Sequence, residues 1–267
     1  MICVFDIESV PDIELLQQIY GYSGDSLSIC KQAMKTQEEK SGSSFLPLSF
    51  HKIISIASVL ADDFGNFIKV GHFARNTGIE SREEVLLQEF STFLNKQNPR
   101  LVSFNGRGFD MPLIALRALK YNINLSSYYE VDNMQLNKNK WENYRQRYSE
   151  RFHLDLFDVL GNYGATRSLD LDSVCKMAGI VGKYEIHGEQ VFELVFDEEN
   201  LEKVDFYCQS DVLNTYWLFL KFELTKGMLQ LTHYLENLDK MRGSLPQNAP
   251  YREAFLTHIT KEIQKYS

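Results

Sequence analysis

Apolar and β-favouring residues alternate from Met1 to Ile7, which predicts a strand that ends at an acidic pair. Pro11-Asp12 then opens a helical pattern through Ile13, Leu15, Leu16 and Ile19. The Ser-, Gly-, Lys- and Glu-rich stretch around Thr36–Ser44 reads as an exposed loop. Ile53–Ala61 is a run of Ile, Val and Ala, a buried strand. Asp62-Asp63-Phe64-Gly65-Asn66 turns it into Phe67–Phe73, completing a hairpin. Ser81 and Glu84 have capping-box spacing ahead of Val85, Leu86, Phe90, Phe93 and Leu94, which recur at helical intervals. Leu101–Phe104 is a short buried strand. Pro112 stands near the start of a helix running from Leu113 to about Tyr121, where proline is tolerated. Asn133–Arg151 is polar and locally basic, and Phe152–Leu160 begins as a strand. Asp170 or Asp172 caps a helix ending at Gly179. Leu201 to about Lys226 is one long helix, and two amphipathic stretches follow, separated near Pro246 and Pro250. This order predicts an α/β fold whose mixed sheet starts as an antiparallel meander and gains a parallel strand after the first crossover helix.

At 267 residues the chain is one large domain or two small ones, with enough length to bury a sizeable core. The four cysteines are scattered, without CxxC spacing, and read as reduced thiols rather than a zinc site or a disulfide framework. Asp6 and Glu8 interrupt the N-terminal apolar residues, and no basic stretch precedes them, so no signal peptide is expected. No apolar run approaches the roughly 20 residues that span a bilayer. The expected location is cytoplasmic, with no membrane partner. A net charge of -8 argues against a broad DNA-coating surface. It leaves room for an acidic, cation-holding site with a small footprint on a strand end.

Three acidic clusters carry the candidate chemistry: Phe5-Asp6-Ile7-Glu8, Asn105-Gly106-Arg107-Gly108-Phe109-Asp110 and Tyr207-Cys208-Gln209-Ser210-Asp211. Asp6 and Glu8 lie two apart on a strand and share a face, which is costly unless the acids are protonated or bound to cations. The plainer alternative is a strand that ends there in water. Asp110 follows a strand and a glycine-bearing loop, so an N-cap aspartate is its simplest role. Asn105 most simply satisfies loop backbone groups, and Phe109 packs in the core or lies under a base. Tyr207 and Asp211 are four apart on a helix and share a face, as a metal-site pair or a surface contact. His153 and Asp155 share a strand face and read as structural. Lys138, Lys140, Arg145, Arg147 and Arg151, interleaved with Trp141, Tyr144 and Tyr148, suit either a single-strand track or the solvated face of an exposed helix.

Taken together the motifs resemble the DEDD 3′–5′ exonuclease superfamily in its tyrosine branch (DEDDy), whose fold is ribonuclease-H-like. They are nearest to the proofreading exonuclease domain of family-B DNA polymerases. Phe5-Asp6-Ile7-Glu8 matches the first exonuclease motif, Asn105 with Phe109-Asp110 the second, and Tyr207 with Asp211 the third. Phe45-Leu46-Pro47-Leu48, His51 to Ala57, His153 to Asp158, and Ser168-Leu169-Asp170 running to Lys183 resemble a stand-alone bacterial family related to that domain. The resemblance covers about residues 1–225 and implies an exonuclease domain there, with 226–267 as a C-terminal helical extension packed on it. It implies that Asp6, Glu8, Asp110 and Asp211 hold two divalent cations, Mg2+ or Mn2+, and that Tyr207 orients the attacking water. Ile7, Asn105 and Phe109 would contact the substrate. Phe206 stands where the histidine branch would carry its His.

The implied reaction is metal-dependent hydrolysis at 3′ ends of single-stranded nucleic acid, DNA ahead of RNA, releasing nucleoside monophosphates, with a role in DNA repair. Two alternatives stand beside it. One is a ribonuclease D-like exoribonuclease; the other is a non-catalytic nucleic-acid-binding module on the same fold. No local pattern reads the 2′ position, and none names a protein partner.

Overall fold

The computed structural model describes residues 1–74, 77–166, 169–183, 191–196 and 200–266, with only the backbone of Ile79 and Glu80. Five strands form one mixed sheet in the order β3-β2-β1-β4-β5: β1 (Ile2–Pro11), β2 (His51–Ala61), β3 (Phe67–His72), β4 (Arg100–Ser103) and β5 (His153–Asp155). β1 and β2 are antiparallel, as are β2 and β3, whereas β4 runs parallel to both β1 and β5. This is the mixed, helix-flanked sheet of a ribonuclease-H-like fold.

The two-residue period of β1 divides the core. Cys3, Phe5 and Ile7 enter one apolar layer with Phe90, Leu94, Leu113 and Ile114. That layer is built from α3 (Ile79–Gln97) and α4 (Asp110–Tyr121). Ile2 and Val4 enter the opposite layer with Cys208, Val212, Tyr216 and Trp217 of α9 (Leu201–Thr225). The even-numbered face of β1 therefore continues into Asp6 and Glu8 on the side that α9 covers. A register shift between Glu8 and Ser9 interrupts the pairing with β2 just beyond the acidic pair, and pairing resumes in the new register from Ser9–Ile53 to Pro11–His51.

Three expectations from the sequence change. The stretch around Thr36–Ser44 is largely helical. After α1 (Ile13–Tyr20), α2 (Ser26–Ser41) is capped by Asp25, which accepts from Ser28 N at 2.8 Å, and it ends at Gly42 with φ 76°. Its apolar stripe is narrow (Ile29, Cys30, Ala33) and packs on Leu16, Leu46 and Phe50, so its polar composition is that of a solvent face. The capping box at Ser81 is also absent. α3 begins earlier, with Gly78 as its N-cap and no side-chain cap. Arg82 and Glu83 turn inward instead. Finally, 133–151 is no helix. It follows α5 (Ser126–Tyr129) as a series of turns joined by bridges Asn133–Lys138 and Asn139–Glu142. Lys138 is buried, its ammonium held by Asn98 Oδ1, Ser127 O and Glu130 Oε2 at 2.7–2.9 Å.

The remaining helices are α6 (Leu156–Leu160), α7 (Leu171–Met177, capped by Asp170), α8 (Val191–Phe196), α10 (Leu231–Ser244) and α11 (Arg252–Gln264). α10 and α11 share the apolar layer of α9 through Tyr234, Leu238, Met241, Tyr251, Phe255 and Ile259. Trp217 Nε1 donates to the Tyr234 hydroxyl (2.9 Å), which donates to Glu262 (2.9 Å).

Candidate active site

Strand β1, the start of α4 and the middle of α9 bring the three acidic clusters together. Asp110 is the first residue of α4; Phe109 takes the N-cap position without a side-chain bond. The Asp110 carboxylate is thereby released from the capping role, and its Oδ1 accepts from Ile7 N of β1 at 3.2 Å. Asp6, Glu8 and Asp211 interact electrostatically with one another, and Asp110 acts on the first two. Glu8, Asp110 and Asp211 are buried.

Burial, followed by repulsion from Asp110, Glu8 and Asp211, holds the Asp6 carboxyl well above the usual carboxylate range, with the Lys183 ammonium opposing. Glu8 is raised in the same way by burial and Asp211. Burial pushes Asp110 up to about 7 and Asp211 up to about 6. Such a cluster is stable at neutral pH when it shares protons or holds cations.

Two observations favour cations. Asp211 Oδ1 is buried with no hydrogen-bond partner. One ligand atom each from Asp6, Glu8 and Cys208 lie within 4.8 Å of one another. An all-carboxylate set suits a hard divalent ion, and a thiol at its edge adds a softer donor.

Tyr207 is buried among Val10, Ile54 and Val191, and its hydroxyl lies near enough to Asp211 to lower the pKa of that carboxyl. Burial, then the Asp211, Glu8 and Asp6 charges, raise its pKa far out of reach, so it acts as a neutral hydroxyl. Asp205, on another face of α9, is a structural anion. It accepts from Arg82 Nη2 at 2.5 and 2.6 Å and from Ser55 Oγ at 2.6 Å.

The loop between β4 and α4 is set by Asp155, whose carboxylate accepts from Asn105 N and Arg107 N (both 2.8 Å) and from Phe157 N at α6 (3.0 Å). Asn105 has φ 67°, and a Cβ on Gly108 would come within 2.4 Å of its Oδ1, so a larger residue there would displace the Asn105 side chain. His153 bonds to Ser103 Oγ at 2.7 Å, and burial lowers its pKa well below the ordinary imidazole value. His153 and Asp155 are thus structural, each with its own partner.

Ile7, Glu8, Phe45, His51, Phe109 and Phe192 line a pocket of about 210 Å³ beside the acids. Phe109 stands edge-on to His51, with ring centres 5.6 Å apart, and Phe45 closes the cluster at 5.7 Å from Phe109. Ile7 and Phe109 belong to this pocket, while Asn105 stands on the other side of the loop.

Residues 43–259 match the family described as a predicted 3′–5′ exonuclease related to the exonuclease domain of PolB. The chain belongs to this family. As a member of this exonuclease family it is an enzyme of the nuclease class, acting on nucleic acid. The matched span holds Asp110, Tyr207 and Asp211, while Asp6 and Glu8 precede it. Among solved structures, the family B DNA polymerase from the hyperthermophilic archaeon Pyrobaculum calidifontis is similar over 95% of this chain, with TM-score 0.51 and 17% identity. That likeness is one of fold, and it takes in 26% of the polymerase chain.

The sequence pattern assigned no place at the site to Cys208 or Lys183. Cys208 lies inside the third motif and faces β1, its thiol 3.4 Å from Asp6 O. Lys183 follows α7 and is anchored through its backbone N to Asp172 Oδ1 at 2.7 Å. Only the fold brings its charge to the acids.

Proposed function

We propose that the protein removes nucleotides from the 3′ end of a single-stranded nucleic acid, DNA ahead of RNA, with two divalent cations, Mg2+ or Mn2+, held by Asp6, Glu8, Asp110 and Asp211. The observation that carries this reading is the convergence of four mutually repelling carboxylates, one with an unpartnered buried oxygen, beside an aromatic pocket of nucleobase scale. Asp6, Glu8 and Asp211 would hold one ion; Asp6 and Asp110 would hold the other. Bound there, the cations supply a nucleophile at neutral pH and neutralise charge on the attacking and leaving oxygens.

The chain's own groups do the rest. Phe109 and Ile7 offer the terminal base an apolar surface, and Phe45 limits the depth of the pocket. Tyr207 stays protonated, and its hydroxyl orients the attacking water. Water adds to phosphorus, the bond from phosphorus to the 3′ oxygen breaks, and that oxygen takes a proton. The products are a nucleoside 5′-monophosphate and a strand one residue shorter with a free 3′ hydroxyl. The pocket ends at Phe45 and His51, which favours a single terminal base over a paired end.

The test is a digestion time course on 5′-end-labelled single-stranded DNA and RNA with Mg2+, Mn2+ or chelator, beside Asp6→Ala and Asp110→Asn. A ladder shortening from the 3′ end, abolished by chelator and by either substitution in folded protein, supports the reading. Hydrolysis that survives chelator or Asp6→Ala overturns it.

A further inference from the structure

The loop of residues 105–110 has a recess on each side. Phe109 lines the aromatic pocket already described. The other recess, about 340 Å³, is walled by Asn105 and Arg107 on the loop side, by Tyr128, Arg145 and Arg147 opposite, and by Phe157. That volume is in the range of small-molecule sites, roughly 300–1,000 Å³. Three arginines meet there, and their partners differ. Arg107 is locked: Nη1 donates to Tyr144 O (2.8 Å) and Nη2 to His153 O, while Nε is buried without a partner. Arg147 is half-exposed and held by Asp158 at 2.6 Å. Arg145 is exposed, pairs with no carboxylate among the described residues, and lies 5.2 Å over the ring of Tyr129.

The same segment bares flat apolar surface beside its cations. Trp141 is 67% exposed with Lys140 Nζ 5.0 Å over its ring, and Tyr148 is 70% exposed. Large exposed rings beside unpaired cations, in a chain of net charge -8, fit a ligand that presents both anions and flat faces. Lys138 and Arg151 do not contribute, since each is neutralised within the segment, by Glu130 and Glu142.

We propose that this recess and the exposed rings of the segment that carries Arg145 hold the nucleotides upstream of the scissile bond. Phosphates would lie against Arg145 and Lys140, and bases on Tyr129 and Trp141. Asn105, Arg107 and Gly108 of the loop that leads into Asp110 line the recess, and one strand would pass along both sides of that loop. The proposal rests on the exonuclease reading for its ligand, and it is tested by binding, apart from turnover.

Trp141 is exposed while Trp217 is fully buried, so indole emission reports on this surface. Folded Asp110→Asn protein is titrated in chelator with oligo(dU), with oligo(rU) and with a blunt DNA duplex. The expected result is quenching by single strands, abolished in an added Trp141→Phe change. Replacing Lys140 and Arg145 together by Gln weakens binding about tenfold and lowers the salt slope by roughly 1.4, about 0.7 for each lost phosphate contact. Arg145→Lys keeps the slope. The stronger ligand of the two single strands identifies the sugar.

Unchanged affinity and slope in the Lys140→Gln, Arg145→Gln protein, or a duplex bound as tightly as a single strand, overturns the subsite. Degradation of strands by the wild type alongside that result leaves the exonuclease reading standing. Quenching and slope as expected in a wild type that hydrolyses nothing supports the subsite and overturns the catalytic reading instead.

Discussion

The hydroxyl of Tyr207 acts on the Asp211 carboxyl while its ring is gripped by Val10, Ile54 and Val191. Tyr207→Phe therefore removes one polar atom without opening a cavity. It should lower kcat by about 10²–10⁴-fold, the usual span of positioning and proton-transfer roles, and leave KM nearly unmoved. Steady-state kinetics on a short single strand would show it; wild-type kcat would make Tyr207 a packing residue. His153 offers a different measurement. It is buried and neutral, against Ser103 and near the Arg107 charge, so its folded pKa lies well below the unfolded value of about 6.5. Below pH 6.5 the unfolded chain takes up a proton that the folded one refuses, so stability falls as pH falls. The slope from this group alone approaches about 1.4 kcal/mol per pH unit. Urea unfolding between pH 5 and 7 should be less pH-dependent in His153→Gln than in the wild type; equal slopes would mean the ring is protonated in the fold. At this scale the acids and Tyr207 were legible because each sits in a short motif on one element. Cys208 and Lys183 were not, because a thiol between two core residues and a lysine after a glycine acquire meaning only when α9 and α7 are laid against β1.

Between elements, the device that holds the site's frame is a buried ion cluster. Arg117 of α4 donates to Glu83 of α3 at 2.6 and 2.7 Å and to Asp12, the residue after β1, at 2.7 Å. Glu83 also accepts from Ile53 N (2.7 Å) and from the Tyr121 hydroxyl (2.8 Å). Burial alone would raise the Asp12 pKa, but the Arg117 hydrogen bond, the Leu15 N–H and the Arg117 and Lys120 charges together outweigh it, and the carboxyl titrates below its ordinary value. Arg117→Met leaves two buried carboxylates facing each other. It should cost about 3–5 kcal/mol, the cost of breaking such a pair. Arg117→Met with Glu83→Gln should recover part of that loss. Chemical denaturation of both proteins checks this, and a loss under 1 kcal/mol for the single change would show that water reaches the cluster. None of this was readable from the sequence, since the partners lie 34 and 105 positions from Arg117. The strands were readable because a strand buried on both faces shows as a short run of β-branched and apolar residues bounded by turn signals, as Ile53–Ala61 does. α2 was not, because its stripe is too thin to show beside so many Ser, Lys and Glu.

Over the whole molecule, the apolar layer behind the acids is completed from the C-terminal side. Trp217, Tyr216 and Phe219 of α9 share their layer with Tyr234, Leu238, Phe255 and Ile259. Phe255→Ala should cost about 3–5 kcal/mol, as large-to-small core changes do, and lower thermal stability without touching a carboxylate. A chain ended after Lys226 should lose its cooperative thermal transition and collect as aggregate, because that layer would face water. A soluble, cooperatively folding 1–226 fragment would show instead that the last two helices are an optional attachment. The same arrangement orders events on the ribosome. All four acids have been made once Asp211 is polymerised, but Ile259 lies 48 positions later. At about 5–20 residues per second that gap lasts roughly 2–10 s. Throughout it the long helix has its acidic side made and its opposite side bare, so the nascent chain carries all four acids with nothing behind them. The acids therefore gain the layer behind them only after α11 has been made.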